Sequence, residues 1–122
     1  MQNTIKNPYE EVPHEEVEQR MVVEYLEIMG HKFTAIPNST HTKSWKQKRK
    51  NKDTGLRKGL PDMLIIINGR LVFIEMKRIK GGSTSREQKE WIYQLNQCQN
   101  VFAHVCKGAD VAIETIKYYE NK

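Results

Sequence analysis

Two apolar runs joined by Asn68 and Gly69 constrain the fold of this 122-residue chain more than any other feature. The runs read DMLIII before the pair and LVFIEMK after it. Asn-Gly readily adopts the positive φ angles of a two-residue hairpin turn, and both flanking runs are rich in residues that favour strands. The segment therefore predicts a β-hairpin.

The predicted hairpin fixes which residues face each other across its strands. With the two turn residues as the loop, Ile67 pairs with Arg70, and counting outward places Asp62 opposite Glu75. Alternation along an antiparallel ladder makes this last pair a non-hydrogen-bonded one, whose Cβ atoms approach to about 5 Å. We therefore expect two carboxylates to lie together at the open end of the hairpin.

Both faces of the predicted hairpin are largely apolar. Because strand side chains alternate, Glu75 and Lys77 share a face with Asp62. That face also carries Leu64, Ile66, Leu71 and Phe73. The opposite face consists of Met63, Ile65, Ile67, Val72, Ile74 and Met76. A hairpin of this kind is expected at the centre of a sheet that helices cover on both sides.

The facing carboxylates require a compensating cation. Like charges opposite each other on a sheet are destabilising, by up to about 1 kcal/mol when exposed and by more when desolvated. Lys77 can offset one carboxylate, whereas a divalent metal can offset both. Mg²⁺ suits such a site because it binds carboxylate oxygens, keeps several waters and can share positions with a phosphate. The pattern thus indicates metal-assisted phosphate chemistry, in which Lys77 would hold a water or neutralise developing charge.

The rest of the chain predicts three helices and two strands around the hairpin. Helical spacing of apolar residues in HEEVEQRMVVEYLEIMG predicts a first helix that ends at Gly30, and HKFTAIPN predicts a short strand. After the hairpin follow a helix whose capping box is either Thr84 with Glu87 or Ser85 with Gln88, the strand VFAHVC and a closing helix. Residues 1–12 are expected to form a flexible arm, and residues 13–122 a single domain.

A strongly basic segment precedes the hairpin at about residues 40–58. It contains eight Lys or Arg residues, one Asp and no apolar periodicity, which predicts an exposed basic loop. The whole chain has 20 Lys and Arg against 15 Asp and Glu, a net charge of +5 that favours a polyanionic partner. The residues expected to bind the phosphates of such a partner are Lys43, Lys46, Lys48, Arg49, Lys50, Lys52, Arg57 and Lys58. Trp45 in the same segment is suited to stacking on an unpaired base.

Cysteine content and hydropathy predict a cytoplasmic protein with reduced thiols and no membrane contact. The chain has only two cysteines, no signal segment at its N-terminus and no apolar run near the roughly 20 residues that span a bilayer. Cys98, His104 and Cys106 lack the paired spacing of a zinc site. They are expected to be ordinary core or near-core residues.

The order of motifs resembles the PD-(D/E)XK nuclease superfamily. KGLPDM followed by FIEMKR is similar to its central motif. EEVEQ, AIPN, GLRKGLPD, IEMK and STSREQ appear in the order of its VRR-NUC branch, over about residues 14–117. The resemblance implies an α/β restriction-endonuclease-like core, with a central mixed β-sheet, a β-hairpin at its centre and helices on both faces.

The resemblance also implies a metal-dependent phosphodiesterase site. Asp62 and Glu75 match the metal ligands of the family, and the backbone carbonyl of Met76 would be a further ligand. Lys77 matches the catalytic lysine, and Gln88 matches a glutamine at the start of the next helix. The implied metal is Mg²⁺, with Mn²⁺ able to substitute.

A glutamate of the first helix is expected to complete the site, and three candidates stay open. Helical phase favours Glu18, which shares a face with Val22. Glu15 lies one turn earlier on that face, whereas Glu16 points away. Asn38, which follows the strand at AIPN, is a candidate for contact with DNA or an ordinary turn residue.

Several functions remain compatible with the sequence. The first is a Mg²⁺- or Mn²⁺-dependent DNA endonuclease in replication, recombination or repair. Short phage-type members of the branch resemble homodimers that cut branched DNA such as Holliday junctions, in a bacterial or phage-infected cell. The alternatives are a monomeric nickase or restriction-type nuclease, and a non-cleaving DNA-binding or assembly module on the same fold. In the plainest interpretation, Asp62 begins a strand while Glu75 and Lys77 end one in solvent.

Overall fold

The described part of the chain, residues 14–37 and 44–122 of a computed structural model, forms four helices and four strands. Their order is α1 (Glu15–Met29), β1 (Lys32–Ala35), α2 (Trp45–Asp53), β2 (Met63–Ile67), β3 (Arg70–Lys77), α3 (Arg86–Asn96), β4 (Val101–Lys107) and α4 (Ala109–Glu120). The predicted arm at residues 1–12 and the predicted DNA contacts Asn38 and Lys43 lie outside the described residues.

The four strands form one mixed sheet in the order β1-β2-β3-β4. β2 pairs antiparallel with β1 and β3, whereas β3 and β4 run parallel. Ile67 pairs with Arg70, and the turn residues Asn68 and Gly69 have φ angles of 49° and 75°. The central hairpin and its register are therefore confirmed.

The fully apolar face of the hairpin forms the main core under α1 and α4. Its six side chains from β2 and β3 are almost completely buried. They pack with Val22 and Leu26 of α1 and with Ala112, Ile116 and Tyr119 of α4. Because burial of one such large side chain contributes about 1.5–3 kcal/mol, this layer is the main source of stability.

The opposite face of the hairpin is covered unevenly. α3 lies against its charged end, where Gln88 contacts Glu75 and Lys77. Near the turn, Ile66 and Leu71 remain 47% and 37% exposed. Helices do lie on both faces of the sheet, as predicted, but the second face is buried only as far as Phe73 and is open near the turn.

The basic segment is not a loop throughout, because Trp45–Asp53 forms the helix α2. Ser44 Oγ caps it by accepting a hydrogen bond from the Gln47 N–H at 3.2 Å. Lys, Arg and Gln have good intrinsic helix propensity, which favours this conformation. None of the side chains of α2 is buried. The helix therefore carries no apolar stripe, and this is why the prediction of a loop was wrong.

The segment that leads into β2 is held against the start of α3. The Trp91 indole N–H donates to the carbonyl oxygen of Lys58 at 3.1 Å. Gly59 has a φ angle of +101°, and a Cβ atom there would lie 2.7 Å from the carbonyl carbon of Glu87. Only glycine allows both the backbone angle and this close approach. The contact fixes where the chain enters the acidic end of the hairpin.

No helix among residues 14–37 and 44–122 is both long and apolar enough to span a bilayer.

Cys106 is buried, as predicted, whereas Cys98 is exposed beyond the end of α3. The prediction of a core or near-core position was wrong for Cys98, because α3 ends at Asn96 and its apolar stripe ends with it.

Candidate active site

Asp62 and Glu75 lie side by side at the open end of the hairpin. Met63 pairs with Ile74, and one further step along the same register brings the two acids opposite each other. Glu75 is only 2% exposed, and Asp62 is partly buried. The turn residues, about six positions away, thus determine the juxtaposition of the two carboxylates.

Asp62 ties three segments together at this point. Its carbonyl oxygen accepts a hydrogen bond from the Ile36 N–H at 2.7 Å, next to the end of β1. Its carboxylate Oδ2 accepts another from the Met76 N–H, also at 2.7 Å. These contacts hold one carboxylate oxygen and leave Oδ1 for other partners.

Pro61 leaves the carbonyl group of Met76 without a donor in the ladder. After the pair formed by Met63 and Ile74, the next hydrogen-bonded pair of the register joins residues 61 and 76. Proline has no N–H to donate to the Met76 carbonyl oxygen. The Met76 N–H donates to the carboxylate of Asp62 and not to the carbonyl oxygen of Pro61, its partner in the register. The carbonyl oxygen predicted as a metal ligand is thus not engaged by the sheet.

Lys77 and Gln88 form a closed set of contacts with Glu75. Lys77 Nζ lies 3.2 Å from Glu75 Oε2 and donates to Gln88 Oε1 at 2.9 Å. Gln88 Nε2 donates to the same Glu75 oxygen at 2.8 Å. Both charged side chains of this set are buried. The Lys77 ammonium is therefore fixed in position next to the acids.

Gln88 also serves the start of α3. Its Oε1 accepts a hydrogen bond from the Ser85 N–H at 2.9 Å, and Ser85 Oγ accepts one from the Gln88 N–H at 3.1 Å. This is the predicted capping box. Gln88 can serve both as helix cap and as site residue because its Oε1 accepts from both Ser85 and Lys77.

Burial raises the pKa of both carboxyls, and the charge on Asp62 adds to the rise at Glu75. The pKa of Glu75 rises from 4.5 to about 7, first because burial removes the carboxylate from water and second because of the charge on Asp62. Lys77 opposes this rise. Burial also raises the pKa of Asp62, although the hydrogen bond from Met76 acts in the other direction. One buried lysine is thus insufficient to neutralise the pair.

The acid of α1 favoured by helical phase, Glu18, binds a different partner. Its Oε2 accepts a hydrogen bond from the Ala109 N–H at 2.5 Å, at the start of α4. An acid suits that position because the first N–H groups of a helix lack partners and favour negative charge. The charge of Glu15 instead acts on both carboxyls of the pair and raises their pKa. Glu16 is exposed and pairs with Arg20.

One oxygen of the acid pair is left uncompensated. Glu75 Oε1 is buried and accepts no hydrogen bond from any described residue. Such a buried acceptor costs about 1–3 kcal/mol, and more when charged. Carboxylate and carbonyl oxygens are the ligands that Mg²⁺ prefers, so the oxygens of Asp62, Glu75 and Met76 fit this ion. Three or more His, Cys, Asp or Glu side chains do not converge anywhere in the described residues, so backbone and water would have to supply the remaining ligands.

The predicted DNA contacts within the described residues lie on α2 and directly after it. Five of them, Lys46, Lys48, Arg49, Lys50 and Lys52, belong to α2 and are exposed. Arg57 and Lys58 are also exposed and follow α2 on the way to the acids. Lys58 Nζ lies 3.7 Å from Glu87 Oε2. The basic surface therefore leads toward the acid pair along the chain.

Cavity size does not identify this site. A surface cavity of about 830 Å³ lies between β4 and α4 and is lined mainly by apolar groups such as Phe102 and Tyr118. It includes none of the five residues that converge at the open end of the hairpin. Those residues are Asp62, Glu75, Met76, Lys77 and Gln88.

Comparisons with known proteins identify the family and the fold. Residues 2–110 match the sequence profile of the VRR-NUC domain. A solved structure described as a VRR_NUC domain protein superimposes with a TM-score of 0.74 and 24% identity, covering 91% of each chain. Another, described as a VRR_NUC domain, gives a TM-score of 0.62 and 20% identity over 86% of this chain and 96% of its own. A search of curated proteins gives no match.

Proposed function

Because this chain belongs to the VRR-NUC nuclease family and has its restriction-endonuclease-like fold, we propose that it is a Mg²⁺-dependent DNA endonuclease. As a hydrolase it would cut phosphodiester bonds, with Mn²⁺ able to replace Mg²⁺. The observation that carries the proposal is the buried acid pair of Asp62 and Glu75, with one uncompensated oxygen and Lys77 beside it.

The proposed metal ligands are Asp62, Glu75 and the carbonyl oxygen of Met76. A metal ion bound there would lower the pKa of a coordinated water and stabilise negative charge on the phosphate. For the first-helix acid we propose Glu15 rather than Glu18. The charge of Glu15 reaches the pair, whereas the carboxylate of Glu18 is already bound to Ala109.

Lys77 is the proposed catalytic group that handles charge at the phosphate. Its ammonium is buried and oriented by two contacts, so little reorganisation is needed when it donates to an attacking water or a phosphate oxygen. Gln88 is a positioning residue, since it holds both Lys77 and Glu75 and is itself fixed by the capping box of α3. Lys77, Glu75 and Gln88 would therefore act together, because each of the three contacts the other two.

The proposed substrate is branched DNA of the Holliday-junction type, cut by a homodimer in replication, recombination or repair. The exposed cations of α2 and the segment after it support binding to DNA phosphates. The preference for junctions and the dimeric state rest on the resemblance to short phage-type members of the family. A bacterial or phage-infected cell is the corresponding setting.

Cleavage of a DNA panel tests the proposal. Wild-type protein, Lys77→Ala and Asp62→Ala are incubated with flap, fork, four-way-junction and linear DNA, with Mg²⁺, Mn²⁺ or EDTA. We expect metal-dependent cutting by the wild type alone, and retained DNA binding by Lys77→Ala in fluorescence anisotropy. Lys89→Ala, which removes an exposed lysine of α3, is the matched control and should cut normally.

The alternative functions give different results in the same panel. A wild-type protein that binds DNA but cuts none of the substrates with either metal would be a non-cleaving binding module. Sedimentation as a monomer, together with single rather than paired cuts in the junction, would indicate a nickase. Cutting of linear duplex at fixed sequences would indicate a restriction-type enzyme.

A further inference from the structure

Helix α2 has no packing role within the described chain. None of its side chains is buried, and it makes no extensive contact with another described helix or strand. Short helices owe most of their stability to the burial of an apolar face, which α2 lacks. Five cations and one acid occupy its nine positions. Its surface is therefore available for a polyanion.

One face of α2 combines an aromatic ring with cations. Trp45, Lys48, Arg49 and Lys52 follow the i, i+3, i+4, i+7 spacing of a single helical face, and all four line one shallow surface depression. From first to last they span about 10 Å along the helix, the length of a short stretch of nucleic-acid backbone. The face thus matches a short stretch of phosphates, with the ring at one end.

Trp45 is unusually accessible for its residue type. It is 82% exposed, although tryptophan is highly buried on average. Its contact with Lys48 Nζ, 5.1 Å from the ring centroid, is an exposed cation–π pair, which is weaker than stacking on a nucleobase. The other tryptophan, Trp91, is partly buried and bound to Lys58. Trp45 is therefore the more accessible of the two tryptophans.

We propose that α2 binds unpaired nucleotides, with its cations on successive phosphates of one strand and Trp45 stacked on a base. In the interior of a continuous duplex both faces of every base are already stacked, so Trp45 has no partner there. A branch point, gap or flap presents a free base face. This inference rests on the proposed nuclease function and narrows its substrate. A fully paired four-way junction has no unpaired base, so Trp45 would favour branched DNA with unpaired bases near the cut.

Binding measured in EDTA tests the role of Trp45 apart from cleavage. Fluorescence anisotropy compares a continuous duplex with the same duplex carrying a three-nucleotide gap, for the wild type, Trp45→Ala and Trp45→Phe. We expect Trp45→Ala to weaken binding to gapped DNA by about 5- to 100-fold and to duplex by less than about two-fold. Trp45→Phe should retain most of the preference.

Two controls address general surface effects and folding. Tyr93→Ala removes another exposed aromatic residue, 63% accessible on α3, and should change neither affinity. Because Trp45 does not pack on the core, urea unfolding of Trp45→Ala should match that of the wild type. As a direct readout, Trp91→Phe leaves Trp45 as the sole tryptophan. Its fluorescence should be quenched by gapped DNA and not by duplex.

The outcomes separate this inference from the proposed function. Equal loss of affinity for both DNAs, or no loss for gapped DNA, would overturn the role of Trp45 even if the wild type cuts DNA with Mg²⁺. A Trp45-dependent preference for gapped DNA in a protein that cuts nothing would support the contact and refute the nuclease. Quenching of Trp45 by duplex as strongly as by gapped DNA would also overturn it.

Discussion

Replacement of Glu75 by glutamine should stabilise the metal-free protein at neutral and alkaline pH. The side chain is buried beside a second carboxylate, and its pKa is raised to about 7. Glutamine has nearly the same shape, carries no charge and keeps an oxygen that accepts from Gln88. The substitution therefore removes the electrostatic penalty while it preserves the packing.

The size and pH dependence of this effect follow from linkage. A pKa of about 7 in the folded chain against 4.5 in the unfolded chain corresponds to about 3 kcal/mol. Below about pH 4.5 the Glu75 carboxyl is protonated in both states and has no effect. Between about pH 4.5 and 7 the unfolded state loses the proton first, so the free energy of unfolding falls as the pH rises. Above about pH 7 the full penalty persists.

Urea unfolding of wild type and Glu75→Gln in EDTA, from pH 4 to 9, measures the difference. We expect equal stability near pH 4 and an advantage of about 3 kcal/mol for Glu75→Gln at pH 8. Mg²⁺ should reduce that advantage, because a ligand bound only by the folded wild type stabilises it. Glu24→Gln, at an exposed position of α1, should change stability by less than about 0.5 kcal/mol. A pH-independent difference, or a more stable wild type at pH 8, would refute the reasoning.

Three further predictions concern the surroundings of the acid pair. Glu18→Ala should lower the free energy of unfolding by about 1–3 kcal/mol because the start of α4 loses its acceptor, whereas Glu15→Ala should leave stability nearly unchanged and slow cutting. The reverse pattern in urea unfolding and cleavage assays would exchange the roles of Glu18 and Glu15. Gly59→Ala should destabilise by about 1–3 kcal/mol more than Gly55→Ala, since both residues have positive φ but only the first meets Glu87. Replacing the cations of α2 by glutamine should weaken the salt dependence of DNA affinity between 50 and 200 mM salt. The slope of log affinity against log salt should fall by about 0.9 for each phosphate that the protein no longer neutralises, and an unchanged slope would show that the DNA binds elsewhere.

The hairpin and its acid pair could be predicted from the sequence because local chemistry determines them. Asn68 and Gly69 select the turn, the turn fixes the register, and the register places Asp62 opposite Glu75. No information from distant parts of the chain is needed. The availability of the Met76 carbonyl oxygen is implied by the same register, although the sequence prediction derived that ligand only from a family resemblance.

Features that depend on contacts between distant segments could not be predicted from the sequence pattern. Helical phase identifies the face of α1 that Glu18 occupies, but it cannot show that a backbone N–H from Ala109, 91 residues later, meets the carboxylate there. The uneven cover of the hairpin likewise depends on where α3 ends over the sheet. Helix α2 was not predicted for the opposite reason: none of its side chains is buried among the described residues, and its stripe is charged rather than apolar.

Pro61 suggests a design rule for ion sites at the end of a β-ladder. Any other amino acid at this position could donate an N–H group to the Met76 carbonyl oxygen and complete the pair. That oxygen would then be occupied by a hydrogen bond and would be a poorer metal ligand. An imino acid achieves the opposite without adding any charge or polar side chain. A designer could therefore create a coordinating carbonyl oxygen on an existing sheet by placing proline opposite it, because proline cannot donate the hydrogen bond that would occupy this oxygen.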